Sequence, residues 1–232
     1  MQSNAIIVGA GTGLSASLTR QLAAREVRVT LGARNPDKLS DLCKATGVTA
    51  TPMDGSDPAA MAALFASVPG RIDLAVYNPS ARVPGPITDI DPEAVRKAVE
   101  VTAFGAFLLG QQAARRMLAQ EPADGTRGTI LMTGASAGDK GFARSAAFAM
   151  GKFAQRGLAQ SMARELHPQG VHVAWINIDG GISNPDRAER TDDGSDRMLD
   201  PEAIAAAYLG LMDQHRSAWS HELALRPWVE RF

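Results

Sequence analysis

The stretch that decides the fold is AIIVGAGTGLSASL, residues 5–18. It begins with four apolar residues, as a buried strand does, and three glycines follow at positions 9, 11 and 13. From Leu14 onward, apolar residues recur at Leu18 and Leu22, which is the spacing of one helical face. The stretch therefore predicts a strand, a glycine-rich turn and a helix over 14–25.

The glycine-rich turn has the composition of a phosphate-binding loop. Glycines between a strand and a helix let backbone N–H groups approach a phosphate, and the helix N-terminus adds partial positive charge. An ordinary βα turn is the alternative for this loop taken alone. The strand–helix alternation that follows favours a dinucleotide pyrophosphate site. We assign that site to Gly9, Gly11, Thr12, Gly13 and Leu14.

The rest of the chain repeats the alternation, which is typical of a parallel sheet with helices on both faces. Further strands are predicted at 27–31, 48–53, 72–77, 129–133 and 171–178, with an edge strand at 221–225. Helices are predicted from residue 35 and at 58–67, 92–117, 146–167 and 201–212. The apolar run 99–110 is expected to be buried. The fold class is α/β: a Rossmann-like, doubly wound parallel sheet, as one domain over 1–232.

Composition excludes several classes of function. The chain has 232 residues, of which 45% are hydrophobic and 21% charged, and this length suits one soluble domain. A formal net charge of −1 gives no basic surface for nucleic acid. Cys43, the single cysteine, suits a reducing compartment, so we expect a cytoplasmic protein. We expect no membrane span and, lacking clustered His, Cys and acidic residues at ligand spacing, no metal.

The end of the second predicted strand indicates which dinucleotide is bound. A carboxylate there would accept hydrogen bonds from both hydroxyls of the adenosine ribose. The chain has Arg34 instead, whose guanidinium suits a 2′-phosphate. NADP is therefore favoured over NAD. The alternative is that Arg34 is a solvated charge ahead of a helix.

A polar segment near the C-terminal end predicts a lid. Residues 183–196 read SNPDRAERTDDGSD, which is too hydrophilic for a core. It follows the sixth predicted strand, where loops often cover a site. We predict that 183–200 forms a substrate lid over an apolar pocket that includes Phe142 and Phe148.

These features together resemble the short-chain dehydrogenase/reductase family over essentially the whole chain. The family's Thr-Gly-x-x-x-Gly-x-Gly loop is similar to residues 8–15, with Val8 and Ser15 at its first and last positions. Its Asp-Val, Asn-Asn-Ala-Gly and Pro-Gly-x-Ile motifs resemble residues 54–55, 77–80 and 179–182. The resemblance implies further cofactor contacts from Asp54 and Gly55 at the adenine, from Asn78, and from Gly180 and Ile182 at the nicotinamide.

The family's catalytic motif is only partly present. Its Tyr-x-x-x-Lys resembles the stretch from Phe148 to Lys152, while its serine falls on Ala135 and its asparagine on Thr102. In the family, the tyrosine hydroxyl transfers a proton, and the lysine lowers the phenol pKa and holds the nicotinamide ribose. Phe148 has no such proton, so an acid–base contribution of about 10²- to 10⁴-fold must come from another group. Lys152 keeps its implied role at the ribose.

Other hydroxyl groups near the motif are candidate proton donors. Ser136, Ser145 and Tyr77 are close enough in sequence to be considered, although each has a structural alternative as a loop-capping group. His167 ends the predicted helix 146–167, where a cation suits the helix dipole.

Two functions remain open from the sequence. The first is an NADP-dependent oxidoreductase acting on a small carbonyl compound or alcohol, with Phe148, Ala135 and Thr102 in an atypical active site. The second is a catalytically impaired NADP(H)-binding protein with a sensing or partner role. The family resemblance also implies a homodimer or homotetramer, and small residues such as Gly105 and Gly157 permit close helix packing.

Overall fold

A seven-stranded sheet organises the computed structural model, which describes residues 3–184, 186–191 and 193–230. Its strands are β1 (Asn4–Val8), β2 (Arg28–Ala33), β3 (Thr49–Pro52), β4 (Leu74–Tyr77), β5 (Gly128–Thr133), β6 (Val171–Ile178) and β9 (Glu222–Leu225). All neighbours pair in parallel, in the order β3-β2-β1-β4-β5-β6-β9. This topology confirms the predicted fold class, and β9 occupies the edge next to β6.

Helices cover both faces of the sheet. They are α1 (Leu14–Ala24), α2 (Ser40–Thr46), α3 (Pro58–Ser67), α4 (Pro92–Val99), α5 (Gly105–Leu118), α6 (Ala146–Leu166) and α7 (Pro201–Met212). Side chains of α1 and α7 form one buried cluster with the sheet, and those of α3, α5 and α6 form the other. The central strands are consequently buried along their whole length, as expected for a parallel sheet covered on both sides.

The predicted helical region over 92–117 is helical throughout, but its centre is not an α-helix. A π-helical turn, Glu100–Phe104, separates α4 from α5, and the N–H of Gly105 donates to the carbonyl oxygen of Glu100. The buried Tyr77 hydroxyl donates to the carbonyl oxygen of Val101. A Cβ at Gly105 would lie 1.9 Å from the Tyr77 hydroxyl oxygen. The tyrosine therefore occupies the space next to the turn and satisfies one of its carbonyl groups.

The expectation that residues 99–110 are wholly buried is also wrong. Phe104 is 43% exposed and Phe107 is 41% exposed, while the residues around them pack on the sheet. The two rings stack on each other with centroids 6.1 Å apart. An apolar composition did not distinguish a buried helix from a helix with one apolar outer face.

A small two-stranded ladder brackets the predicted lid. It consists of β7 (Gly181–Ile182) and β8 (Met198–Leu199), which pair in parallel. Between them, the Asn184 side chain lies against the glycine-rich loop, 3.4 Å from where a Cβ of Gly13 would stand. Positions 185 and 192 of this segment lie outside the described residues. The role of 183–200 as a lid stays a prediction.

His167, at the end of α6, is held by contacts with β6 and with two other rings. Its ring Nε2 accepts a hydrogen bond of 3.0 Å from the Val173 N–H. Burial lowers the pKa of His167, which favours the neutral ring. The ring packs edge-on against His172 and Trp219, whose rings stack at 4.8 Å.

Within 3–184, 186–191 and 193–230, every helix is too short or too polar to cross a membrane. The same residues bring no three His, Cys, Asp or Glu side chains together in an arrangement suited to a metal ion.

Candidate functional site

The candidate site lies at the carboxyl edge of the central strands. Val8 pairs with Tyr77, and Tyr77 pairs with Met132. The residues that follow these positions, Gly9, Asn78 and Thr133, therefore line the same edge of the sheet. The strand order reverses between β1 and β4, and ligands of open α/β sheets bind at such a reversal.

Hydrogen bonds from β2 and from the residue after β4 hold the inner side of the glycine-rich loop. The N–H groups of Gly9 and Ala10 donate to the carbonyl oxygen of Gly32, at 2.9 and 3.1 Å. The Asn78 side-chain amide donates to the Ser15 hydroxyl at 2.9 Å and to the Gly9 carbonyl at 3.3 Å. Because these contacts come from the inner side, the outer surface of the loop is left for a ligand.

Gly9 has two independent reasons to be glycine. Its φ is +81°, a region that other residues rarely adopt. A Cβ there would also stand 2.5 Å from the Pro79 ring. At Gly11, in contrast, a Cβ would meet nothing within 4 Å. The loop is thus closely packed at its start and open at its middle.

The end of the loop fits a phosphate group. Helix α1 begins after Gly13 without a side-chain cap and without an acidic residue in its first turn. Its first N–H groups therefore keep their partial positive charge. Thr12 is exposed, and Leu14 is the buried first residue of the helix. This donor set and the space at Gly11 suit a pyrophosphate, as the sequence predicted.

The predicted adenosine contacts lie beside this loop. Arg34 follows β2, is exposed and forms no ion pair within the part of the chain that the structure describes. Asp54 accepts hydrogen bonds from the Ser56 N–H (2.9 Å) and hydroxyl (2.7 Å), which lower the pKa of its carboxyl group. The charge of Arg34 lowers this pKa further, so both groups act at the same end of the site. Gly55 packs against Val8.

Lys152 is a buried cation at the opposite end. Only 2% of it is exposed, and its Nζ donates to the Thr133 carbonyl and, at 3.2 Å, to the Gln155 side-chain oxygen. Gln155 in turn donates to the carbonyl oxygen of Thr102 at 3.2 Å. Burial first, and the charge of Arg82 second, lower the pKa of Lys152 to about 7. This amine is therefore poised to exchange a proton near neutral pH.

Phe148 lies one helical turn before Lys152 on the same buried face of α6. The guanidinium carbon of Arg82 stands 4.1 Å from the centroid of its ring. Burial lowers the pKa of Arg82, and the charge of Arg190 adds to this effect. The position one helical turn before Lys152 is thus occupied by the phenyl ring of Phe148, and the guanidinium of Arg82 lies over that ring.

Thr102 joins the loop after β4 to helix α6. Its hydroxyl accepts a hydrogen bond of 3.1 Å from the N–H of Ala81, and its Cβ stands 2.8 Å from where a Cβ of Gly151 would lie. Thr102 is fully buried, so its hydroxyl is committed to this contact. It positions the backbone that carries Arg82.

The structure excludes one candidate proton donor, Tyr77, and leaves Ser136 and Ser145 open. Tyr77 is wrong as a donor to substrate, because its buried hydroxyl bonds Val101 and burial raises its pKa. Ser136 begins a short 3₁₀ turn that packs on α6, and Ser145 precedes the first turn of α6. Both serines are half-buried, and their hydroxyls make no hydrogen bond to any described residue. Their participation stays a prediction.

The predicted nicotinamide contacts lie on the stem of the 183–200 segment. A Cβ on Gly180 would meet Leu199 at 2.8 Å and Pro227 at 3.0 Å, and Ile182 pairs with Leu199. Both residues follow β6 and so reach the same edge of the sheet as Lys152. Their backbone contacts to a nicotinamide stay a prediction.

Sequence reasoning missed three side chains of this site: Arg82, Gln155 and Asn184. Gln155 stands three residues after Lys152, so helical spacing could have placed it on the same face. The contact of Arg82 with Phe148, 66 residues away in sequence, had no local signal.

Comparisons with known proteins support the family and the fold. A family model described as short chain dehydrogenase matches residues 3–193. A solved short-chain dehydrogenase from Rhodopseudomonas palustris is 32% identical, with a TM-score of 0.82 and coverage of 97% of this chain and 99% of the other. An uncharacterized oxidoreductase of Staphylococcus saprophyticus is 25% identical, covering 96% of both chains. BdcA, solved with NADPH, is 21% identical with a TM-score of 0.81 and coverage of 97% and 93%.

Proposed function

Since the chain belongs to the short chain dehydrogenase family, we propose that it is an NADP-dependent oxidoreductase that acts on a small carbonyl compound or alcohol. The observation that carries this proposal is the placement of an uncapped, glycine-rich helix start and of buried Lys152 along one edge of the sheet. The first suits the diphosphate of a dinucleotide and the second suits its reactive end.

The choice of NADP rests on Arg34. Its guanidinium is exposed after β2 and has no carboxylate partner among the described residues, so it is available to a 2′-phosphate. The NADPH complex of BdcA, a protein with the same fold, is consistent with this choice.

In the proposed reaction, NADPH supplies the hydride and Lys152 supplies the proton. The Lys152 amine has a pKa of about 7, so it gives up or takes a proton near neutral pH. Thr133 and Gln155 orient the amine, and the apolar ring of Phe148 lies one helical turn away on the same buried face of α6. In this proposal the active site is atypical, with Phe148, Ala135 and Thr102 at the positions of the family's tyrosine, serine and asparagine. The catalytically impaired alternative is not favoured, because the named relatives are oxidoreductases.

The decisive experiment follows NADPH oxidation by its absorbance with a panel of aldehydes, ketones and quinones. We expect at least one small carbonyl compound to be reduced, with turnover that disappears in the Lys152→Met variant. Tight NADPH binding without oxidation by any member of the panel contradicts the proposal and supports the impaired alternative.

Replacing Arg34 with alanine should separate the two dinucleotides. A charge-assisted bond to a phosphate contributes roughly 1.5–3 kcal/mol, so we expect the Kd for NADPH to rise at least about 10-fold while that for NADH hardly changes. Fluorescence titration of both reduced cofactors measures this. The control is Arg28→Ala, which removes the same charge from the amino end of β2. Equal losses for both cofactors in Arg34→Ala contradict the assignment to NADP.

A homodimer or homotetramer is also part of the proposal. Phe104 and Phe107 on one helix surface, and Met150 and Phe153 on α6, expose 41–55% of their area. Two exposed apolar stripes on helices of one sheet face are suited to burial against a second copy. We expect size-exclusion chromatography with light scattering to give a multiple of 24.5 kDa. A monomer at micromolar concentration contradicts this expectation.

A cytoplasmic location without nucleic-acid or membrane partners stays a prediction from composition.

A further inference from the structure

Arg82 is an arginine whose charge has no partner. Its guanidinium lies over Phe148, and none of its N–H groups bonds to a residue that the structure describes. Arg156 provides a comparison, since it lies 5.2 Å over the Trp175 ring in a similar way. Unlike Arg82, Arg156 also forms ion pairs with Asp139 and Glu222. Arg82 is exposed, so its N–H donors are accessible to solvent and to a ligand.

The charges that act on this end of the site are positive. The positive charge of Arg82 lowers the pKa of Lys152, and the positive charge of Arg190 lowers the pKa of Arg82. Among the described residues, no carboxylate contributes to these pKa shifts. A binding site with this excess of positive charge attracts an anion.

The position of Arg82 is fixed before a ligand arrives. The preceding residue, Ala81, donates its N–H to the buried Thr102 hydroxyl. Three residues later, the N–H of Gly85 donates to the carbonyl oxygen of Arg144 at 3.1 Å. Because both sides of the loop are held, little ordering is needed when Arg82 binds a ligand.

Arg82 stands at the substrate end of the site and not at the phosphate end. The phosphate donors belong to the loop after β1 and to α1, whereas Arg82 follows β4 and contacts helix α6 beside Lys152.

We propose that Arg82 binds the carboxylate of an oxo acid, so that the substrate is a small carbonyl compound with a carboxylate close to its carbonyl group. One guanidinium offers two parallel N–H donors, which match the two oxygens of a carboxylate. This inference rests on the proposed function, since it names the substrate class for the same site. In the reaction, the carbonyl carbon accepts a hydride from NADPH and the oxygen accepts a proton. The product is a hydroxy acid, and the carboxylate is unchanged.

Phenylglyoxylate and its methyl ester test the proposal, because the ester replaces the charged carboxylate by a neutral methyl ester and keeps the rest of the molecule. Calorimetry measures their binding to the protein alone and to the protein saturated with NADP⁺. We expect Arg82→Gln to weaken phenylglyoxylate binding at least about 10-fold and to leave ester binding unchanged. Arg82→Lys keeps the charge without the planar fork, so its loss should be smaller. The control Arg28→Gln removes a charge at the other edge of the sheet and should change neither.

Failure of this inference and failure of the proposed function give different results. The carboxylate assignment is overturned if the acid does not bind, if Arg82→Gln binds it as well as the original chain does, or if dihydroxyacetone phosphate is the tighter Arg82-dependent ligand. In those cases, NADPH oxidation by the neutral ester still supports the proposed function. Acid binding that depends on Arg82, without NADPH oxidation by any carbonyl compound, supports the carboxylate site and contradicts the reductase.

Discussion

Replacing Lys152 with methionine is expected to lower turnover by about 10²- to 10⁴-fold and, at neutral pH, to make the protein more stable. The loss of turnover follows because no other group of the site combines burial with a pKa near neutrality. The gain in stability follows because the ammonium group is buried without a carboxylate partner. Replacing a buried charge by an apolar side chain of similar size often raises the free energy of unfolding by about 1–3 kcal/mol.

The stability gain should depend on pH with a definite sign. The pKa of Lys152 is about 7 in the folded chain and near 10.5 in the unfolded chain. Between these values only the unfolded chain binds the proton, so the free energy of unfolding of the original protein rises with pH, by up to about 1.4 kcal/mol per unit. The methionine variant lacks this term. Its advantage should be greatest at pH 7 and below and should be lost before pH reaches 10.5.

Urea unfolding at pH 6.5, 8 and 9.5 measures the effect, with Lys44→Met as the control. Lys44 lies on α2 with 79% of its side chain exposed, so its replacement should change stability equally at the three pH values. A Lys152→Met variant that unfolds more easily than the original chain at pH 6.5, or a difference that does not vary with pH, contradicts the argument.

Replacing Gly9 with alanine should damage both the fold and cofactor binding. The positive φ costs about 1–2 kcal/mol for alanine, and the approach of 2.5 Å to Pro79 adds about 1–3 kcal/mol of overpacking. The free energy of unfolding should therefore fall by roughly 2–5 kcal/mol. Because Gly9 also bonds Gly32 and Asn78, the loop should shift, and NADPH affinity should fall at least about 10-fold.

Gly11→Ala is the matched comparison for this variant. A Cβ at Gly11 meets nothing within 4 Å, so stability should stay within about 0.5 kcal/mol of the original. If a diphosphate lies against the loop, the added methyl group should nevertheless weaken NADPH binding. Stability of Gly9→Ala equal to that of Gly11→Ala would contradict the packing argument, and unchanged NADPH binding in Gly11→Ala would contradict the location of the cofactor.

The sequence was most informative where local pattern determines structure. The run from Ala5 to Leu22 predicted β1, the glycine-rich turn and α1, because each depends on neighbouring residues. Two features that local pattern did not predict, the π-helical turn within 92–117 and the packing of His167, involve contacts with distant residues: Tyr77 at the first and Trp219 at the second. A pattern confined to one segment carries no information about such partners.

The same limit applied within the candidate site. Spacing placed Phe148 and Lys152 on one face of α6, and the structure agrees. The sequence left the hydroxyl of Tyr77 as a candidate donor, but in the structure it bonds the carbonyl oxygen of Val101. Arg82 comes next to Phe148 only because the loop after β4 folds against α6.

The π-helical turn at Glu100–Phe104 also sets the rotational phase of the helix that follows it. Each residue of an α-helix advances the chain by about 100° around its axis, so one residue more or fewer in this turn would rotate α5 by that amount relative to α4. Thr102 could then face the loop before Arg82, or the two phenylalanines could face outward, but not both. With this single wide turn, the helical region from α4 to α5 directs the Thr102 hydroxyl inward, to the loop before Arg82, and directs the rings of Phe104 and Phe107 outward.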